Sequence, residues 1–357
     1  MILNSVLIYT VPILLGYMIF KMASKSAVEQ VASTGASAAK SAIPNPKPFP
    51  AFFFSHGGPT FMYGNEDSDL GAFNKIKDIG AQIKNEWKPD YIIVVSAHWQ
   101  SKSPKLIEVA VPSSNGSQDL QENSLIYDFY GFPRYMYTEQ FHTMNSRFVS
   151  EQISQQLKSS GFDSRLTTRG IDHGTWVPLK VAFSEYNALK PLPKGEKPQL
   201  DLPETSLVQV SLPGWDDDFE SQFKLGQALS YFRDNQIWDP VKEKYLKGMV
   251  ICSGMTVHNL RELGLAMSVG KPMPYASAFN SLLKKTMVNG PDLLERLEKL
   301  KKENKSLLYK AHPTLEHFAP IVVGGGLVSG HEHDKIKEIY TSATLSLGWG
   351  IYRFGDY

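Results

Sequence analysis

The chain has 357 residues, 42% hydrophobic and 11% aromatic, enough for a sizeable core in one large domain or two ordinary ones. Its 37 basic and 36 acidic residues leave a net charge of +1, so there is no global basic field to attract nucleic acid and no acidic tail. The single cysteine, Cys252, excludes an intramolecular disulfide and a multi-thiolate zinc site, fits a reducing compartment, and leaves His, Asp and Glu as candidate metal ligands.

The chain opens on MILNSVLIYTVPILLGYMIF, apolar and free of charged side chains, followed by Lys21 and Lys25. Its length suffices to cross a bilayer, and no basic stretch precedes it as in a secretory signal. The charges after the span put the bulk of the protein on the cytosolic side. The expected organisation is an N-terminal hydrophobic segment over 1–22, anchoring the chain to a membrane through residues 1–20. A flexible Ala/Ser/Lys/Pro-rich linker over 23–48 follows, then a single folded domain over 49–357. Translation from Met22 would instead leave the anchor out.

From Pro50 onward strands and helices alternate. AFFFSHGG is an apolar strand ending on Ser55, His56 and two glycines; FNKIKDIGAQIKNEW places Phe73, Ile76, Ile79 and Ile83 on one helical face. YIIVVSAHW is the next strand, and TEQFHTMNSRFVSEQISQQLKSSG reads as a helix with His142 on its polar side. SLVQVSL and GMVICSG are short buried strands separated by the helical FESQFKLGQALSYFRD. YASAFNSLLKKTMVNG and PDLLERLEKLKKE are helical, and IYTSATLSLGWGIYRFG closes the chain as a final strand. Residues 189–204 and KKENKS (301–306) read as solvated surface loops. The pattern predicts an α/β fold, a single domain with a mainly parallel central sheet flanked by helices and a site at the carboxyl ends of the strands.

Nine histidines are present, and their placement is uneven. His56, His98 and His258 each stand at or shortly after the carboxyl end of an apolar strand. His173 lies in the turn-like RGIDHGTWVPL, and His317 in HPTLEHFAPIVVGGG, expected in the first or second turn of a helix that His312 begins. One strand-end histidine is ordinarily a structural hydrogen-bonding residue; five near one sheet edge point to a metal, because imidazole suits zinc, iron, copper and nickel. His331 and His333 read as parts of a solvated loop. VVGGGLVSG lacks the phosphate-loop pattern, and no G-x-S-x-G elbow occurs.

The ordered motifs SHGGP (55–59), SAHW (96–99), GFP (131–133), DHGTWVPL (172–179), SGMTVHNLR (253–261) and PTLEHFAP (313–320) resemble the class III extradiol ring-cleavage dioxygenases, in particular the 4,5-DOPA dioxygenase-like branch. The resemblance implies metal ligation by His56, His98 and His317, with His258 as acid–base residue and fourth ligand of a resting zinc form, and His173 as a second imidazole beside the substrate. It implies one non-haem Fe(II) or Zn(II) per chain, a DOPA-like catechol and O2 as small-molecule partners, and no nucleic acid. Trp99, Tyr130, Phe132 and Trp176 are the expected aromatic walls. The better-known ring-cleaving members hold Fe(II) with two histidines and a glutamate; here His317 takes the third position with Glu316 beside it. That all-imidazole set also accommodates a zinc-dependent hydrolase or a non-catalytic zinc-binding protein on the same scaffold.

Overall fold

The computed structural model describes residues 40–356, apart from 66–67, 114–117, 289 and 332–333. The membrane anchor expected over residues 1–20 lies outside the described residues, among which no helix is long and apolar enough to cross a membrane. One compact unit, Ala42–Ile237 with Tyr245–Tyr357, carries the sheet and its helices. A second unit groups Trp238–Lys244 with Lys40 and Ser41 among the described residues; within it the Lys40 ammonium sits 3.8 Å from the centre of the Trp238 ring. The folded unit begins ahead of the expected boundary at residue 49. Asn45 is buried, its N–H donating to the Asp234 carbonyl at 2.7 Å and its Nδ2 to the Arg233 carbonyl at 3.1 Å.

The strands that build the site are β1 (Ala51–Ser55), β2 (Tyr91–Gln100), β3 (Leu106–Val111), β4 (Asp163–Thr168), β5 (Ser206–Leu212), β6 (Lys244–Gly254), β7 (Val257–His258), β8 (Ile336–Thr344) and β9 (Leu347–Phe354). They lie in the order β7-β9-β1-β6-β2-β5-β3-β4, with β8 paired to β9. The centre is parallel: β6 pairs with β1 and β2, and β2 with β5. Antiparallel pairing flanks it where β9 joins β1 and where β3 joins β5. The closing segment expected as one strand is a hairpin, β8 and β9 paired antiparallel from Ile336↔Phe354 to Thr344↔Leu347.

Both faces of the sheet are covered, which is why its central strands are unbroken apolar runs. Alternate residues go to opposite layers. Phe52, Phe54, Ile92, Val94, Met249 and Ile251 pack with helices α1 (Leu70–Gln82) and α3 (His173–Phe183). Phe53, Ile93, Val95, Val250 and Cys252 pack on the other side, with α2 (Arg147–Ser159), α4 (Phe219–Asp234), α6 (Pro274–Val288) and α9 (Ala319–Gly326). Each such fully buried side chain contributes about 1.5–3 kcal/mol, so the strand ends inherit the rigidity of the core.

Several local readings are corrected. Helix α2 begins at Arg147, capped by Ser146, so His142 precedes it in irregular backbone, where its Nδ1 lies 2.6 Å from Glu122 Oε1. DHGTWVPLKVAF is a helix despite Gly174 and Pro178; Asp172 caps it by accepting from the Thr175 N–H at 3.2 Å. Helix α7 (Leu293–Glu303) ends where the expected helix PDLLERLEKLKKE ends, and because α8 (Lys305–Ala311) follows after Asn304, the loop expected over 301–306 is all but absent. His312 therefore closes α8 instead of opening the next helix; His317 sits in the turn just before α9.

Candidate metal centre

The parallel centre of the sheet brings three histidines to one edge. His56 directly follows β1, His98 is the eighth residue of β2, and His258 ends β7, four residues beyond β6. Strand β9 runs antiparallel to β1, so its first residues lie at that same edge, and His258 pairs there with Leu347. His317 arrives from the turn before α9 and is pinned by its own carbonyl, which accepts from the Met255 N–H at 2.9 Å. Gly254 permits that approach, because a Cβ there would overlap the His317 carbonyl. His173 is the first residue of α3. Its position is locked by buried Asp172, which accepts from Ser96 Oγ at 2.8 Å, Arg169 at 3.1 Å and Gln209 Nε2 at 2.5 Å. The next residue must be small: a Cβ on Gly174 would meet the His98 ring and Ser96 Oγ, each at 2.5 Å.

The five imidazoles gather at ring-centre separations of 5.0 Å for His56–His98, 4.0 Å for His98–His173, 4.9 Å for His98–His317 and 3.5 Å for the stacked His258–His317 pair. Four of them have Nδ1 within 3.2 Å of a side-chain oxygen. Ser253 Oγ donates its proton to the Gly174 carbonyl, so its oxygen accepts from His56 Nδ1, 3.0 Å away. Asp128 lies 3.2 Å from His98 Nδ1 and 2.9 Å from His173 Nδ1, and Glu316 lies 3.0 Å from His317 Nδ1. These partners fix the Nδ1–H tautomer and leave Nε2 as the ligand atom, the arrangement by which outer groups orient metal-binding histidines.

That tautomer sets two lone pairs against each other, for His56 Nε2 and His98 Nε2 stand 3.1 Å apart. Bare, they repel. A tetrahedral ion with bonds of about 2.0–2.1 Å places its donors about 3.3 Å apart, so a cation between them fits. The ligand atoms of His56, His98 and His173 lie within 4.8 Å of one another, as do those of His258, Glu316 and His317. His317 links the two sets through its stack on His258 and its edge toward His98.

The electrostatics suit ligation. Burial, then the neighbouring imidazoles with His98 and His258 foremost, lower His56 and His317 well below the usual histidine range. Burial followed by His312 pushes His258 down to about 3. Burial lowers His173 too, against the pull of Asp128. Burial would raise Asp128, but hydrogen bonds from His173 and His98 outweigh it and hold the carboxyl well below its ordinary range. Neutral imidazoles oriented by ionised carboxylates are strong ligands.

The cluster opens into a cavity of about 860 Å³, with His98, His173, His258 and His317 in its lining; His56 is buried beneath them. Tyr130 and Phe132, expected as walls, line it. Trp99 and Trp176 are absent from its lining. Trp99 follows His98 on a strand and so turns to the opposite face, where Arg169 lies 4.5 Å over its ring. Trp176 is fully buried behind Phe129, its indole N–H donating to the Ile126 carbonyl at 3.0 Å. Phe129, Trp349 and Met255 line the cavity in their place. Sequence reasoning missed Asp128 and Ser253, the orienting partners; the one trace of Asp128 was a lone acid in the aromatic IYDFYGF.

The family model described as the catalytic LigB subunit of aromatic ring-opening dioxygenase matches residues 50–354. The chain belongs to this family. Within it the chain falls in the class III extradiol, 4,5-DOPA dioxygenase-like branch. It is 31% identical to a 4,5-DOPA dioxygenase extradiol of Beta vulgaris over 312 residues, covering 86% of this chain and 94% of that one. It is 29% identical to a 4,5-DOPA dioxygenase extradiol-like protein of Schizosaccharomyces pombe over 326 residues, covering 84% and 91%. A crystal structure of an uncharacterized protein from Escherichia coli K12 superposes with a TM-score of 0.57 at 20% identity, covering 86% of this chain and 99% of that one, a likeness of fold. The LigB match starts at the first residues of β1 and ends on β9, so it spans every strand that supplies the imidazole cluster.

Proposed function

We propose that the chain is a metal-dependent extradiol dioxygenase that opens a catechol ring by inserting both atoms of dioxygen, using one Fe(II) per chain. The observation that carries this reading is the imidazole cluster: His56, His98 and His317 each have Nδ1 beside a protein oxygen and Nε2 left for an ion, at the floor of a cavity able to hold an aromatic diol. Relatives named for 4,5-DOPA supply the first substrate class to try. In this reading His56, His98 and His317 hold the metal, and His258 is a fourth donor in a zinc-loaded resting form. When bound, Fe(II) supplies an open, redox-active centre at which catecholate and dioxygen meet.

The remaining steps fall to this chain's own side chains. His258, kept neutral by burial, accepts the proton of a catechol hydroxyl. Once protonated it is a strong acid, suited to return that proton as the O–O bond breaks and the ring opens to a muconic semialdehyde. His173, set beside Asp128 by the first turn of α3, flanks the substrate from the other side, its bare Nε2 accepting from a catechol hydroxyl. Phe129 and Trp349 keep water from the reacting ring.

The test is anaerobic Fe(II) reconstitution followed by a catechol panel, recording oxygen uptake and visible absorbance. Stoichiometric oxygen use with a yellow product is expected. Oxygen uptake absent across the panel, with zinc retained, would overturn the reading. Ester or amide turnover by the zinc form would then mark a hydrolase, and its absence a non-catalytic zinc protein.

A further inference from the structure

We propose that the catechol taken by this site carries an apolar tail, alkyl or aryl, in preference to the charged amino-acid side chain of DOPA; this rests on the reading of the imidazole cluster as a catechol-binding floor. Benzene fills an apolar cavity of about 150 Å³, so a space of about 860 Å³ leaves most of its volume to something other than the ring. Much of the wall beyond the imidazoles is apolar, with Thr60, Ser68 and Thr344 its hydroxyl-bearing residues. Leu260, together with Leu263 and Met267 of helix α5 (Leu263–Val269), forms one side, and Leu345 and Leu347 at the β8–β9 turn form another. Among the described residues lining the cavity there is no Lys or Arg to receive a carboxylate, and the acid there, Asp128, is engaged by two histidines.

The wall runs out to the surface instead of closing. Leu260 is 56% exposed, Met267 60% and Tyr130 88%, so a tail leaving the ring passes along apolar side chains to solvent. Backbone strain at Leu345 is an independent observation. It occupies the first position of the two-residue turn joining β8 to β9 with φ of 55°, a left-handed conformation. Asn or Gly is the ordinary occupant of such a turn, and an aliphatic residue there is strained. Leu345 is the one aliphatic residue with positive φ among the described residues, and it lines this cavity. Strain kept at a ligand-facing position is what a role in binding would maintain.

The experiment uses the Fe(II)-reconstituted full chain with catechol, its methyl, butyl and hexyl derivatives, L-DOPA and dihydroxybenzoate. Anaerobic binding is read by tryptophan fluorescence and kcat/KM by oxygen uptake. Both are expected to rise about fourfold per methylene over the first few carbons, with the charged catechols weakest. Leu345→Asn is expected to keep or raise the melting temperature while lowering the hexylcatechol-to-catechol ratio of kcat/KM about tenfold. A highest kcat/KM for L-DOPA, or no dependence on tail length, would overturn the proposal while ring cleavage stands. Binding graded by tail length without turnover would support it and sink the dioxygenase reading. Neither binding nor turnover would sink both. A Leu345→Asn protein that is destabilised yet keeps the full tail dependence would also overturn it.

Discussion

The floor and the wall of the cavity are built in opposite ways. The floor consists of His56 and His98 at the ends of parallel strands, His258 on β7, His173 on α3 and His317 in the turn before α9, and all but His258 have Nδ1 beside Ser253, Asp128 or Glu316. The wall comes from a seven-residue helix and a hairpin turn whose side chains are partly in water. Reaction chemistry demands positions good to a fraction of an ångström, and a buried sheet supplies them; selectivity tolerates looser side chains on elements that change at little cost to the fold. The sharpest break of this contrast is His56→Ala against His258→Ala. Losing the buried ligand is expected to weaken metal affinity by more than about 100-fold, since even its orienting partners are worth 10–100-fold. His258→Ala is expected to keep its metal and lose about 10²–10⁴ in turnover. Metal analysis with His258→Ala empty and His56→Ala full would reverse the assignment.

The same contrast explains what the sequence made legible. His56, His98 and His258 were readable because a buried strand is an apolar run and a histidine ending it stands out. His173 stands out as a residue, but its helix is hidden by Gly174 and Pro178, which break the usual helical pattern; Gly174 is needed because a Cβ there would meet the His98 ring. Trp99 was misplaced although strand alternation sends it to the face opposite His98. Asp128 lies in irregular chain between elements, where no periodicity marks it. The wall left no motif, because Leu and Met on an exposed short helix look like any surface helix until the hairpin turn is brought opposite.

Asp128→Asn tests how much of the floor's rigidity comes from one carboxylate. An amide can accept from one of the two Nδ1–H groups, but its NH2 would face the other, leaving one imidazole without its acceptor. Metal affinity measured by chelator competition is expected to fall 10–100-fold with the fold intact. Unchanged affinity would mean that core packing alone orients His98 and His173.

A smaller effect comes from His312, fully buried just outside the cluster, with Nε2–H donating to the Thr256 carbonyl at 2.9 Å. Burial lowers it from the usual 6.5 to about 4. Above pH 6.5 both folded and unfolded forms are neutral. As pH falls below that, the unfolded chain takes a proton that the folded chain refuses, so stability drops by about 1.4 kcal/mol per pH unit until about pH 4. Denaturant midpoints followed between pH 7 and 4.5 are expected to fall less steeply in His312→Asn, whose amide can keep the Thr256 bond. Equal slopes in the two proteins would show that His312 does not titrate differently on folding.

Tyr130 provides the smallest expected change and the finest division between floor and wall. Its neighbour Phe129 is 5% exposed, with its ring 5.7 Å from that of His173 and 6.2 Å from Trp176, so it belongs to the packed support of the floor. Tyr130, one residue on, is 88% exposed and borders the cavity mouth just before Gly131, whose φ of 79° turns the chain. Removing its ring deletes almost no buried area, so Tyr130→Ala should shift stability by no more than about 0.5 kcal/mol. Its mark should instead be a few-fold rise in KM for tailed catechols with kcat and metal content unchanged, because a mouth residue contributes equally to ground-state and transition-state binding. A fall in kcat with unchanged KM would place Tyr130 at the reacting atoms, and the boundary between chemistry and selectivity would then lie nearer the surface than the burial of these two neighbours implies.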